Sequence, residues 1–91
     1  MDNRADRIRS ALAAQFAPVR VEVVDDSAKH AGHAGAAPGG QTHYSVLLVS
    51  EIFTGMNRVA RSRAVHAALE AEFSGGLHAL ALTLRAPSEV G

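Results

Sequence analysis

The segment Thr42–Glu51, THYSVLLVSE, carries four consecutive apolar residues, Val46-Leu47-Leu48-Val49. An aliphatic run with no polar interruption fits a strand covered on both faces, which predicts a central position in a sheet. A central strand needs a neighbour on each side, and the chain offers two. Val19, Val21 and Val23 alternate with Arg20, Glu22 and Val24, a period-two pattern of a half-buried strand that Asp25-Asp26-Ser27 ends. Leu80, Leu82 and Leu84 alternate with Ala79, Ala81, Thr83 and Arg85 within Leu77–Arg85, and Pro87 stops that strand.

Two helices complete the pattern. Ala5, Ile8, Leu12 and Phe16 recur at helical spacing over residues 4–16. Asp2 or Asn3 can cap this helix and Pro18 ends it. Asn57 can cap a second helix running to about Phe73, with Val59, Val65, Leu69 and Phe73 as its apolar side and Gly75-Gly76 as its stop. The order helix, strand, strand, helix, strand predicts an α+β domain with two helices on one face of a three-stranded mixed sheet and a right-handed strand-helix-strand crossover. Ile8, Leu12, Phe16, Val21, Val23, Leu48, Leu69, Phe73, Leu80 and Leu82 are the expected core.

Ninety-one residues suit one domain over 1–91, and at this size only about 60–65 % of the extended chain's surface is buried, leaving little room for an enclosed catalytic cavity. Between the first two strands, SAKHAGHAGAAPGG has four glycines, one proline and no large apolar anchor, so a mobile loop is expected over residues 28–40. Residues 86–91 read as a short tail. Nine Lys plus Arg balance nine Asp plus Glu, which excludes a whole-molecule field for nucleic acid or anionic membrane. The absence of cysteine excludes disulfides, thiol nucleophiles and thiolate metal sites within the chain. No signal-peptide core and no run near the ~18 residues that span a bilayer is visible, so a cytoplasmic location is expected.

Histidine is the residue type left for metal chemistry. His78 opens the third strand, where a ring nitrogen can stay accessible; on its own it reads first as a core-edge histidine bonded to a carbonyl. His30 and His33 form an H-x-x-H pair on the glycine-rich loop, a weak metal signal because loop histidines are usually just solvated. His43 at a strand start and His66 in mid-helix read as structural or solvent-facing. Arg58, Arg61 and Arg63 form the basic cluster, at a helix N-terminus where cations are mildly unfavourable without an anionic partner. They read as a solvated face or as a contact surface for a partner or a phosphate backbone. Asp26, Ser27 and His30 contain triad residue types, but crowd one strand end with nothing to form an oxyanion hole, so catalysis is not expected.

The chain resembles BolA-like proteins across nearly its whole length. The resemblance rests on Val23-Val24-Asp25-Asp26-Ser27 followed by His30, on Thr42-His43-Tyr44 leading to Val49-Ser50, on Phe53-Thr54-Gly55, on Arg61-Ser62-Arg63-Ala64-Val65 and on Leu77-His78-Ala79-Leu80-Ala81-Leu82. Where the family commonly has Arg-His-Arg, this chain has Arg61-Ser62-Arg63. The resemblance implies a class II KH-related fold and a non-enzymatic partner of a monothiol glutaredoxin, active in iron homeostasis through a 2Fe-2S cluster. It further implies that His78 falls on the family's cluster-ligand histidine and His30 on the loop position of a second ligand, with His33 as backup. A 2Fe-2S cluster needs four ligands, normally thiolates, so the others must come from a partner cysteine and glutathione. The apo form is expected to be a monomer. The alternative is a DNA-binding regulator of stress response and cell morphology that uses Arg58, Arg61 and Arg63, with weak, salt-sensitive contacts.

Overall fold

The computed structural model describes residues 3–26 and 43–90. Helix α1 spans Arg4–Phe16, strand β1 Arg20–Asp25, strand β2 His43–Val49, helix α2 Arg58–Ala68, helix α3 Glu70–Ser74 and strand β3 Ala79–Arg85. Short 3₁₀ turns occupy Glu51–Phe53 and Pro87–Glu89. The sheet order is β1-β2-β3, with β1 antiparallel and β2 parallel to their neighbours β2 and β3 respectively. The fold is thus the expected α+β domain with a mixed sheet and a central second strand. The mobile loop expected over 28–40 lies outside the described residues.

Asn3, not Asp2, caps α1. Its side chain accepts the Asp6 N–H at 3.0 Å, and Asp6 turns back to the Asn3 N–H, a reciprocal pair that satisfies two otherwise orphaned donors. At the other end Ala17 adopts a left-handed conformation, φ 42°, and its N–H bonds to Ala13 O at 3.2 Å before Pro18 redirects the chain. The buried side of α1 is Ile8, Leu12 and Phe16. Ser50 then ties this helix end to the sheet, because its buried hydroxyl donates to Phe16 O at 2.6 Å and its N–H bonds to Arg85 O at 3.0 Å.

Register explains the core. Val21 and Val23 of β1 stand opposite Leu48 and Val46 of β2, which stand opposite Leu84 and Leu82 of β3. These residues share the face that α1 and α2 cover, where Leu12, Leu48, Ile8, Phe53 and Val65 are fully buried. Burying each such side chain contributes about 1.5–3 kcal/mol relative to leaving it in water. The opposite face is shallow and open, lined by Glu22, Val24, Ser45, Leu47, Ala81 and Thr83. Leu47 is only half-buried there, so the expected burial on both faces is corrected: β1 and β3 shield the flanks of β2, while helices cover one side.

The second helix is shorter than expected. Leu69 leaves helical geometry at φ −108° and ψ 15°, which splits the segment into α2 and α3. Val59 does not join the core; it is 57 % exposed. Phe73 is partly buried, with the exposed His66 ring stacked on it at 5.1 Å. Residues 86–90 of the expected short tail pack back on the domain. Ala86 is buried, and Glu89 accepts the Ala86 N–H at 2.7 Å and both ends of the Arg61 guanidinium.

Candidate functional site

Parallel pairing places the starts of β2 and β3 at one end of the sheet. His43 stands opposite Ala79 in the register, which brings His78, one residue before Ala79, beside it. The two imidazole rings lie with centroids 6.0 Å apart at 77°, edge to face. His78 is exposed and His43 half-buried. Sequence reasoning assigned His43 no functional place; the signal that finds it is strand direction, since a parallel β2–β3 pair levels the two strand starts.

The chain around His78 is held from both sides. Leu77 is buried, and its N–H bonds to Glu72 O at 2.9 Å. Gly76 makes the preceding turn at φ +120°, a conformation that side-chain-bearing residues rarely adopt. Glu72 also accepts from Arg4 Nε at 3.1 Å and from Arg7, while Arg4 Nη2 donates to Gly75 O at 2.7 Å. This cluster clamps the start of α1 onto the end of α3. The Arg7 and Arg4 hydrogen bonds hold the Glu72 carboxyl below the usual carboxylate range, against the opposing pull of burial. Tyr44, next along β2, is buried, which pushes its hydroxyl above the usual phenol value, with the Asp25 charge adding to the rise.

The histidine end also receives β1. The Asp26 N–H bonds to His43 O at 2.7 Å, and the Ser45 hydroxyl donates to the Asp26 carboxylate. The segment carrying His30 and His33 joins Asp26 to His43, so its ends meet at this place; His30 and His33 themselves lie outside the described residues. Among the described residues no three His, Asp or Glu side chains converge on a metal position. The histidine end therefore presents one exposed imidazole with a second ring edge-on to it, which among the described residues makes no metal site by itself.

The expected arginine face is corrected. Arg61 is 8 % exposed and makes four hydrogen bonds: Nε donates to Met56 O at 2.9 Å, Nη1 to Leu84 O at 3.1 Å and to Glu89, and Nη2 to Glu89. It also lies over the Phe53 ring at 5.7 Å. Arg58 and Arg63 stay exposed. The anionic partner that a cation in the first turns of α2 calls for is thus internal, supplied by Glu89. Gly32-His33-Ala34-Gly35 has the GXXG spacing of KH phosphate-binding turns but lies outside the described residues.

Comparison with known proteins agrees with this architecture. Residues 12–89 match the family described as BolA-like protein. The chain is 43 % identical over 91 residues to Protein BOLA1, chloroplastic, of Arabidopsis thaliana, covering 98 % of this chain and 57 % of that protein. It is also 43 % identical over 77 residues to the DNA-binding transcriptional regulator BolA of Escherichia coli, covering 85 % of this chain and 70 % of that protein. The solved structure of BolA1 from Arabidopsis thaliana superposes with a TM-score of 0.89 at 42 % identity, covering 100 % of this chain and 99 % of that one. Among the described residues no helix is long and apolar enough to cross a membrane. Family members are interaction or regulatory proteins rather than enzymes. On the matched span, the shared fold and the identity of its relatives, the chain belongs to the BolA-like family.

Proposed function

We propose that this chain partners a monothiol glutaredoxin and lends His78 to a 2Fe-2S cluster that the two proteins share, as a step in cluster trafficking and iron homeostasis. The observation that supports it is the exposed His78 imidazole, anchored by Leu77 on one side and β3 on the other, with His43 edge-on at 6.0 Å. A ring presented from a fixed strand start can coordinate without first ordering its own backbone. His30, with His33 as backup, is the second ligand from the intervening segment. The cysteine-free chain supplies no thiolate, so a partner cysteine and glutathione complete the set, in keeping with centres where imidazole replaces thiolate on one iron.

A DNA-binding regulator is the second reading, favoured by the name of the Escherichia coli relative. With Arg61 engaged internally, its basic contacts reduce to Arg58 and Arg63, too few for tight phosphate-backbone binding. Visible absorption and circular dichroism of a cluster-loaded monothiol glutaredoxin, with and without this protein, separate the two. The expected result is a changed cluster spectrum with the wild type and with His66→Ala, and none with His78→Ala. A wild-type-like spectrum from His78→Ala overturns the ligand assignment and makes salt-dependent DNA binding the leading reading.

A further inference from the structure

A groove of about 490 Å³ runs between α2 and β3, lined by Arg58, Val59, Arg61 and Ser62 on the helix side and by Leu82–Arg85 on the strand side. We propose that it receives an extended acidic segment of a partner protein, which adds to the free edge of β3. This surface is independent of the histidine reading.

Three observations carry the inference. The first is backbone chemistry. β3 is an edge strand, paired only with β2 among the described residues. Arg85 O points to β2, where it accepts the Ser50 N–H at 3.0 Å, so by strand alternation Leu80, Leu82 and Leu84 turn their backbone groups outward. Leu84 O already draws two guanidinium donors to this edge, Arg61 Nη1 at 3.1 Å and Arg85 Nη1 at 3.0 Å. The outward N–H and C=O groups of Leu80 and Leu82 have no backbone partner among the described residues. Such an edge is a template for an added strand.

The second is charge. Arg58 and Arg85 both line the groove, and neither forms an ion pair among the described residues. Their neighbour Arg61 already shows what a guanidinium here takes, since it holds the Glu89 carboxylate at 2.6 and 3.0 Å. The third is apolar surface. Val59, 57 % exposed, forms part of the wall, so a segment that alternates acidic and aliphatic residues meets both chemistries at strand spacing. From Leu80 to Leu84 such a segment would follow the edge for about 13 Å at 3.3 Å per residue.

The test uses the full chain and a ten-residue peptide alternating Glu and Val, followed by amide NMR and fluorescence anisotropy. Saturable binding is expected, with the largest amide shifts at Leu80, Leu82 and Leu84. Affinity should fall about tenfold or more in Arg58→Glu/Arg85→Glu, and weaken with added salt. A peptide N-methylated at alternate residues should bind at least tenfold more weakly, because it loses the donors that pair with the edge. The amide spectrum of the variant without peptide reports whether it is folded, and Arg58→Glu alone, at an exposed position, provides a milder replacement. Shifts confined to other surfaces, unchanged affinity in either arginine variant, or tolerance of N-methylation overturns the proposal. So does an oligothymidine that binds the same residues more tightly than the peptide and displaces it, which would make the groove a nucleic-acid site.

Discussion

Arg61 grips Glu89 with both ends of its guanidinium, Nη1 to Oε1 at 2.6 Å and Nη2 to Oε2 at 3.0 Å, and so closes the C-terminal segment onto α2. The Arg61 hydrogen bonds, followed by the Ala86 N–H, lower the Glu89 carboxyl from its ordinary value near 4.5 to about 2. A carboxyl depressed in the folded state contributes stability that is complete above its ordinary value and is lost as pH falls through the folded value. Urea midpoints measured between about pH 5 and pH 2 should therefore fall more steeply for the wild type than for Glu89→Gln. Parallel acid limbs for the two proteins would show that the pair contributes nothing to folding.

Glu72 bridges Arg4 and Arg7 from the far end of the chain, and two of these three side chains are largely sheltered, at 12 % and 14 % exposure for Arg4 and Glu72. Glu72→Gln should destabilise by about 1–3 kcal/mol, because the charged hydrogen bonds from Arg4 and Arg7 to the carboxylate are lost. The Arg7 contact, more exposed at 43 %, accounts for the smaller and salt-sensitive part. Equilibrium unfolding in low and high salt checks both; a loss below about 0.5 kcal/mol would contradict the clamp.

Core and surface leucine-like positions should separate sharply. Leu12→Ala removes a side chain with no exposed surface and should cost about 2–5 kcal/mol. Val59→Ala, on the groove wall, should stay within about 0.5 kcal/mol. Denaturant titration of both variants distinguishes them, and comparable losses would mean that α2 is rotated about its axis.

His43→Ala should leave the fold and the His78 position in place but loosen the ring that His43 now abuts. In the glutaredoxin mixture it should weaken the changed cluster spectrum without abolishing it, unlike His78→Ala. A His43→Ala spectrum identical in strength to the wild type would assign the ring no role.

The fold was legible where local pattern and tertiary structure agree. Val46–Val49 announces the central strand, the alternating leucines announce β3, and Asn57 caps α2 through its side chain to the Ala60 N–H at 2.8 Å. The break at Leu69 was not legible, because neither Pro nor Gly marks it and the helical spacing continues through it. Arg61 misled for a physical reason: three arginines in the first two helical turns look alike in one dimension, and the acid that pairs with one of them lies 28 residues away. Val59 erred likewise: spacing places it on the apolar side, but it stays 57 % exposed on the groove wall. Of the site, the strand-start position of His78 could be read from the chain, whereas His43 needed the parallel pairing.

That pairing makes the histidine couple a reporter of completed folding. Neighbouring strands β1 and β2 can zip together as an antiparallel pair over a local connection, but β3 reaches the other side of β2 only after α2 and α3 have crossed the sheet. A chain arrested before that crossover exposes His43 without His78 beside it. A partner that needs both rings therefore meets them only on molecules whose last strand has docked, which lets recognition itself discriminate finished copies from unfinished ones.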